Sequence, residues 1–128
     1  MNKIIHYCWF GGKPLPKLAK KCIKSWEKYL PDYEIRRWDE SNFDVNITDF
    51  SRDAYQAKKW AFVADVARTH ALREYGGIYF DTDMLVTKNI DFLLEDEFFA
   101  GWESNDYVAV GVLGTKASNN PIIEKLWK

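Results

Sequence analysis

Two aspartates one residue apart, Asp81 and Asp83, follow a short apolar run, Ile78-Tyr79-Phe80, which itself follows Gly76-Gly77. On an extended segment such a pair shares one face, with about 6–7 Å between the two positions. The two carboxylates repel each other, and a cation between them relieves the repulsion. Hard oxygen ligands of this kind suit Mg²⁺ or Mn²⁺ rather than zinc. A dication held by only two carboxylates keeps positions open for phosphate oxygens, as a diphosphate leaving group requires. With eleven aspartates in the chain, an Asp-x-Asp is expected about once by chance. Its delivery by an apolar strand just after a helix and a Gly-Gly is the informative part.

One helix earlier, Asp65 and Arg68 stand three residues apart and share a helical face. On a solvated surface such a pair contributes only ~0–1 kcal/mol. Their neighbours Ala61, Phe62, Val63, Ala64, Val66 and Ala67 are apolar, so the helix is expected to be well buried. A charged pair in that setting needs a reason. Asp65 is suited to accept hydrogen bonds from sugar hydroxyls, and Arg68 to reach a phosphate or sugar oxygen. Trp9 ends the first apolar run beside Gly11-Gly12, where an indole can stack on a base for ~1–3 kcal/mol. Core packing is the competing role for Trp9. His70 has no partner at metal-ligand spacing and reads as a structural histidine.

The elements that must position these groups follow from periodicity. Lys3–Phe10 reads as a buried strand. Leu18, Cys22, Ile23, Trp26 and Leu30 recur at helical spacing opposite a lysine-rich face, predicting an amphipathic helix over Lys17–Tyr29 that stops before Pro31. Tyr33–Trp38 predicts a strand and Asp39–Phe50 an irregular stretch. Ser51 is placed to cap a helix running to Lys59. Trp60–Tyr75 is the clearest helix, stopped by Gly76-Gly77. Ile78–Phe80 predicts a strand, with Met84–Thr87 extended beyond it and further strands at Phe98–Trp102 and Tyr107–Leu113. Pro121 opens a helix cut short at Lys128, which reads as a fragment or as a protein lacking a C-terminal half. Helices alternating with short strands indicate α/β, as one domain over 1–128.

Composition narrows the function classes. With 47% hydrophobic residues the chain can bury a core, which excludes disorder. Lys+Arg is 18 against Asp+Glu 19, so no basic field directs it to nucleic acid. Cys8 and Cys22 lack metal or disulfide spacing and read as buried, reduced thiols. No apolar run approaches the ~20 residues of a membrane span, and the N-terminal run is too short for a secretory signal. A cytoplasmic protein is expected, with peripheral membrane association compatible with a lipid-linked acceptor.

The stretches KIIHYCWFGG and KKWAFVADVARTHALREYGGIYFDTDML, with looser similarity through FFAGWESNDYVAVGVLGTKASNNPII, resemble the sugar-binding region of DXD-containing glycosyltransferases. That group includes capsular-polysaccharide and mannosyltransferase-like enzymes and, more distantly, the glucosyltransferase domain of large clostridial toxins. The resemblance covers nearly the whole chain, and the joint pattern ADxxR…GGIYxDxD is specific. It implies a GT-A fold, a Rossmann-like α/β domain that uses a nucleotide sugar and usually Mn²⁺. It also implies transfer with retention to a saccharide or lipid-linked saccharide in polysaccharide synthesis, with a lean towards UDP-sugars. In its terms Trp9 stacks on the base, Asp65 and Arg68 hold the donor sugar, and Tyr79 lies beside the nucleoside. Asp81 and Asp83 are the DXD acids at ribose and metal. A metal bound by Asp83 is then expected to act as a Lewis acid on the leaving diphosphate, with Arg68 sharing the developing charge. Ala64 stands where several relatives have serine, and relatives continue for roughly another hundred residues that supply acceptor contacts.

The alternative is a non-catalytic nucleotide-sugar-binding module, or an inactive fragment of such an enzyme, which would keep the donor site without transfer and which the short C-terminal helix favours. Two other chemistries fit less well. Carboxylates ~5–9 Å apart also serve glycoside hydrolases, which need no metal. An aspartate-nucleophile phosphatase uses DxD after an apolar strand but has Thr or Val where this chain has Leu85.

Overall fold

A computed structural model describes residues 3–87 and the backbone of two later strands, Phe98–Trp102 and Val108–Thr115. The first strand, β1 (Ile4–Cys8), is buried from Ile5 onward because its apolar side chains are covered on both faces. Helix α1 (Lys17–Tyr29) starts after Pro16 and buries Ala19, Cys22 and Trp26. It stops at Leu30, whose N–H donates to the Trp26 carbonyl, one residue before Pro31. Strand β2 (Glu34–Trp38) follows, then α2 (Asp49–Gln56), α3 (Trp60–Tyr75) and β3 (Gly77–Phe80). Gly76 and Gly77, at φ 68° and 95°, turn the chain from α3 directly into β3, a conformation that costs a side-chain-bearing residue energy. The remaining strands are β4 (Phe98–Trp102) and β5 (Val108–Thr115).

The five strands form one mixed sheet in the order β2-β1-β3-β5-β4. β1 pairs parallel with both β2 and β3, while β3–β5 and β4–β5 are antiparallel. Alternate side chains of β1 and β3 serve opposite layers. Ile5, Tyr7, Ile78 and Phe80 pack with Cys22, Trp26 and Leu30 of the α1 layer. Cys8 and Tyr79 pack instead with Val63, Ala67, Ala71 and Leu72 of α3, and with Trp38. The result is the α/β architecture expected, with helices on both faces of the sheet.

Several expectations are corrected. The cap of α2 is Thr48, not Ser51. The Thr48 hydroxyl accepts from the Ser51 N–H, and Ser51 returns a bond to the Thr48 backbone, so the helix starts three residues earlier. It also ends earlier, at Gln56 rather than Lys59, and Lys58 takes a positive φ of 58°. α3 is buried along one face rather than all round: Ala61, Phe62 and Asp65 are exposed, and Phe62 meets the equally exposed Phe50. Residues after Phe80 do not continue as a strand, because the Met84 N–H donates to the Asp81 carbonyl at 3.0 Å and closes a turn. β5 begins at Val108 and runs to Thr115, past the expected end at Leu113. The helix expected from Pro121 lies outside the described residues.

Cys8 and Cys22 are buried and free. His6, to which the sequence assigned no part, is wholly buried in the sheet. Its Nε2–H donates to the Gly76 carbonyl (2.8 Å), and its Nδ1 accepts from the Trp38 indole N–H (3.0 Å). Both ring nitrogens are thereby satisfied in one neutral tautomer.

Candidate active site

In a mostly parallel sheet, ligands bind outside the carboxyl ends of the strands, where the strand order reverses. Here β1 is that point, since one crossover leads to β2 on one side and the next leads to β3 on the other. A cavity of about 510 Å³ opens there, within the usual range for small-molecule sites. Its walls come from Cys8, Trp9 and Phe10 after β1, Tyr79 and Asp81 to Asp83 after β3, and Trp60, Ala61 and Ala64 at the start of α3.

One wall is aromatic. The Trp9 indole N–H donates to the Lys13 carbonyl (2.7 Å), which pins the ring across its own loop. Gly11, at φ 102°, lets that loop pass against Trp60, where an added Cβ would come within 2.8 Å of the indole. Glu40 secures the arrangement: its Oε2 accepts from the Gly11 N–H (2.7 Å) and from the Tyr55 hydroxyl (3.0 Å). Tyr55 in turn meets Trp60 edge-on, with ring centroids 5.3 Å apart. Sequence reasoning singled out neither Trp60 nor Glu40. The place of Trp60 at the head of the helix carrying Asp65 and Arg68 was a usable signal, whereas nothing local marked Glu40.

The facing wall is acidic. The Tyr79 hydroxyl donates to Asp81 Oδ1 (2.9 Å), and burial raises its pKa well above the ordinary tyrosine value, so it remains a donor. Arg68, almost wholly buried, places its guanidinium 5.1 Å from the Tyr79 ring centroid and 4.0 Å from Asp81 Oδ1. It also forms an ion pair with Asp65, whose side chain is 49% exposed. The structure therefore brings Trp9, Tyr79, Asp81 and Asp83 to the cavity itself. Arg68 stands behind Tyr79 and Asp81, and Asp65 lies beyond Arg68, outside the cavity lining. Cys8 reaches the wall, but burial pushes its thiol up to about 12, so it is no nucleophile at neutral pH.

The turn at Asp81, not strand alternation, sets the relation of the two acids. Asp81 is half-buried and Asp83 exposed. Among the described residues no group of three His, Cys, Asp or Glu side chains forms a closed metal cage. Two hard carboxylates on one cavity wall fit a dication that keeps most of its coordination sphere for water or phosphate.

Comparison with known proteins shows the family. Residues 16–100 match the profile of the family described as "Glycosyltransferase sugar-binding region containing DXD motif". The chain belongs to this glycosyltransferase family. Within the matched span, Asp81-Thr82-Asp83 is the one Asp-x-Asp in the sequence. The chain is 30% identical over 138 aligned residues to an uncharacterized glycosyltransferase of Acanthamoeba polyphaga mimivirus, covering 98% of this chain and 53% of that protein. It is 32% identical over 116 residues to inositol phosphoceramide mannosyltransferase 3 of Schizosaccharomyces pombe, covering 88% of this chain and 32% of the relative. The chain thus spans about half and about a third of these two glycosyltransferases. Among solved structures, the PaToxG glycosyltransferase superposes with a TM-score of 0.76 at 20% identity, over 97% of this chain and 57% of that one. That likeness concerns the fold, which is of the GT-A type.

Proposed function

We propose that this DXD chain binds the donor in a metal-dependent glycosyltransferase that moves a sugar from a nucleotide sugar, of which a UDP-sugar is favoured, to a saccharide hydroxyl. The observation that carries the reading is the cavity at the β1/β3 switch point, with indoles on one wall and the Asp81–Asp83 turn on the other. An aromatic wall suits a base, and a carboxylate pair suits the metal complex of a diphosphate. Trp9 and Trp60 offer the base their ring surfaces. Tyr79 and Arg68 hold Asp81, so that its carboxylate meets the donor in one orientation. Asp83, and Asp81 with it, would hold Mn²⁺ or Mg²⁺. Bound there, the cation supplies Lewis-acid stabilisation to the departing diphosphate, worth several kcal/mol. Arg68 adds a fixed positive charge behind the same carboxylate, and Asp65 forms an ion pair with that buried arginine. Retention at the anomeric carbon, a saccharide or lipid-linked acceptor, a role in polysaccharide synthesis and a cytoplasmic setting belong to the same proposal.

Thermal unfolding with UDP, GDP and their sugar conjugates, each with and without Mn²⁺, tests it. A ligand at 100 times its dissociation constant adds ~2.7 kcal/mol of stability. The expected result is a raised midpoint with one nucleotide, dependent on Mn²⁺ and lost in Asp83→Ala. Stabilisation that persists with EDTA, or in Asp83→Ala, would overturn the metal-dependent assignment.

A further inference from the structure

Helix α1 carries five lysines within twelve residues: Lys17, Lys20, Lys21, Lys24 and Lys28. At 3.6 residues per turn they fall within about 100° of arc and extend about 16 Å along the axis. All five are exposed, and among the described residues none makes an ion pair. Lys28 lies over the Tyr29 ring at 5.1 Å and still presents its charge. The helix holds one acid, Glu27, at the edge of the stripe. In a chain with 18 basic and 19 acidic residues, this is a local field rather than an overall charge.

The lysine face is continuous with a second feature. Lys21, Lys24 and Lys28 share a shallow groove with Ser25, Leu85 and Val86. The segment after the DXD turn is tied to α1, since the Trp26 indole donates to the Met84 carbonyl (2.7 Å) and the Val86 N–H donates to Ser25 Oγ (2.9 Å). This leaves Leu85 half exposed beside the lysines, two residues beyond Asp83, and Leu18 is 60% exposed on the same edge of α1. Cations flanked by aliphatic side chains on a lightly curved surface match an anionic bilayer, which attracts the charges and takes leucines into its headgroup region. Nucleic acid is matched less well, since α1 presents no arginine and no freely exposed aromatic ring for base stacking.

We infer that the lysine face of α1, with Leu18 and Leu85, docks the protein on anionic membrane lipid, next to the segment that bears the donor-site aspartates. This goes beyond the donor-site reading and stands whether or not that reading holds.

The test is co-sedimentation with vesicles of phosphatidylcholine alone and with added phosphatidylglycerol. Binding is expected only with the anionic lipid, falling steeply as salt is raised. Each lysine removed weakens the partition about fivefold, so Lys17→Ala, Lys21→Ala, Lys24→Ala and Lys28→Ala together weaken it on the order of several hundredfold. Leu18→Ser with Leu85→Ser lowers the binding that remains at high salt. The salt dependence of the unaltered chain supplies a readout independent of any variant. Equal binding to neutral vesicles, no binding at low salt, or displacement from anionic vesicles by single-stranded RNA at equal charge would each overturn the inference.

Discussion

At the scale of single residues, the site depends on which groups are buried and which can be rehydrated. Arg68 is buried, while Asp65 and Asp81 are each nearly half exposed. Removing the arginine leaves acids that water can solvate; removing Asp65 takes an ion-pair partner from a cation that is itself buried. Asp65→Ala is therefore expected to destabilise the fold by about 2 kcal/mol and Arg68→Met by about 1 kcal/mol. Urea unfolding of the two variants checks the order, and the reverse order would contradict the placement of Arg68. The aromatic wall gives a second expectation. Trp60→Ala and Trp9→Ala should each weaken donor binding by ~1–3 kcal/mol, a factor of roughly 5 to 150. Isothermal titration would read this, and an unchanged affinity in Trp60→Ala would remove that indole from the site. Trp9, Tyr79, Asp81 and Asp83 were legible in the sequence because a motif and a strand end mark them. Trp60 and Glu40 were not, because their roles depend on how close Gly11 comes, a contact made across 29 residues for Glu40.

At the scale of elements, α1 was readable because its apolar residues keep one helical period and the helix stops before Pro31, and α3 because a long run without Gly or Pro ends at Gly76-Gly77. The start of α2 was misplaced because Thr48 and Ser51 are both capping residues, and only their reciprocal bonding decides which one is the cap. The DXD segment was misread as extended because alternation says nothing of where a strand ends, and the Met84–Asp81 hydrogen bond ends it. Neither error moved the aspartates away from the cavity. The joint between β1, β2 and α3 carries a pH-dependent term. Burial lowers the His6 pKa from 6.5 to about 4, and desolvation lowers that of His70 as well. In the unfolded chain both protonate near 6.5, so the unfolded state binds more protons as pH falls below that value. Stability should be constant with respect to His6 above pH 6.5 and decline through the interval to about pH 4, by roughly 3 kcal/mol. Urea midpoints at pH 7 and pH 4.5 measure it. His6→Gln should flatten the slope even though it lowers stability at pH 7, because its amide does not titrate. A slope unchanged in His6→Gln would place the titration elsewhere.

At the scale of the whole molecule, the switch point makes one site from segments that are distant in sequence: 8–13 after β1, 60–64 at the head of α3, and 79–83 at the end of β3. Parallel pairing of β1 with β3 aligns their carboxyl ends, so a ligand seated there touches both strands' exits at once. The α1 layer lies on the opposite face, with its lysines pointing away from the core. Donor binding should therefore leave a distinctive hydrogen-exchange pattern. With nucleotide and Mn²⁺ present, amides in 9–13 and 81–84 are expected to gain protection together, with the first turn of α3 following. Amides in the middle of α1 should exchange as before, since they close their own helix irrespective of the cavity. Asp83→Asn, an isosteric change at an exposed position, should keep the exchange of the free protein and abolish the gain in both loops, not in 81–84 alone. Protection confined to 81–84 would mean that the metal complex binds without engaging the aromatic wall. The base-stacking half of the site would then have to be abandoned while the carboxylate half survived.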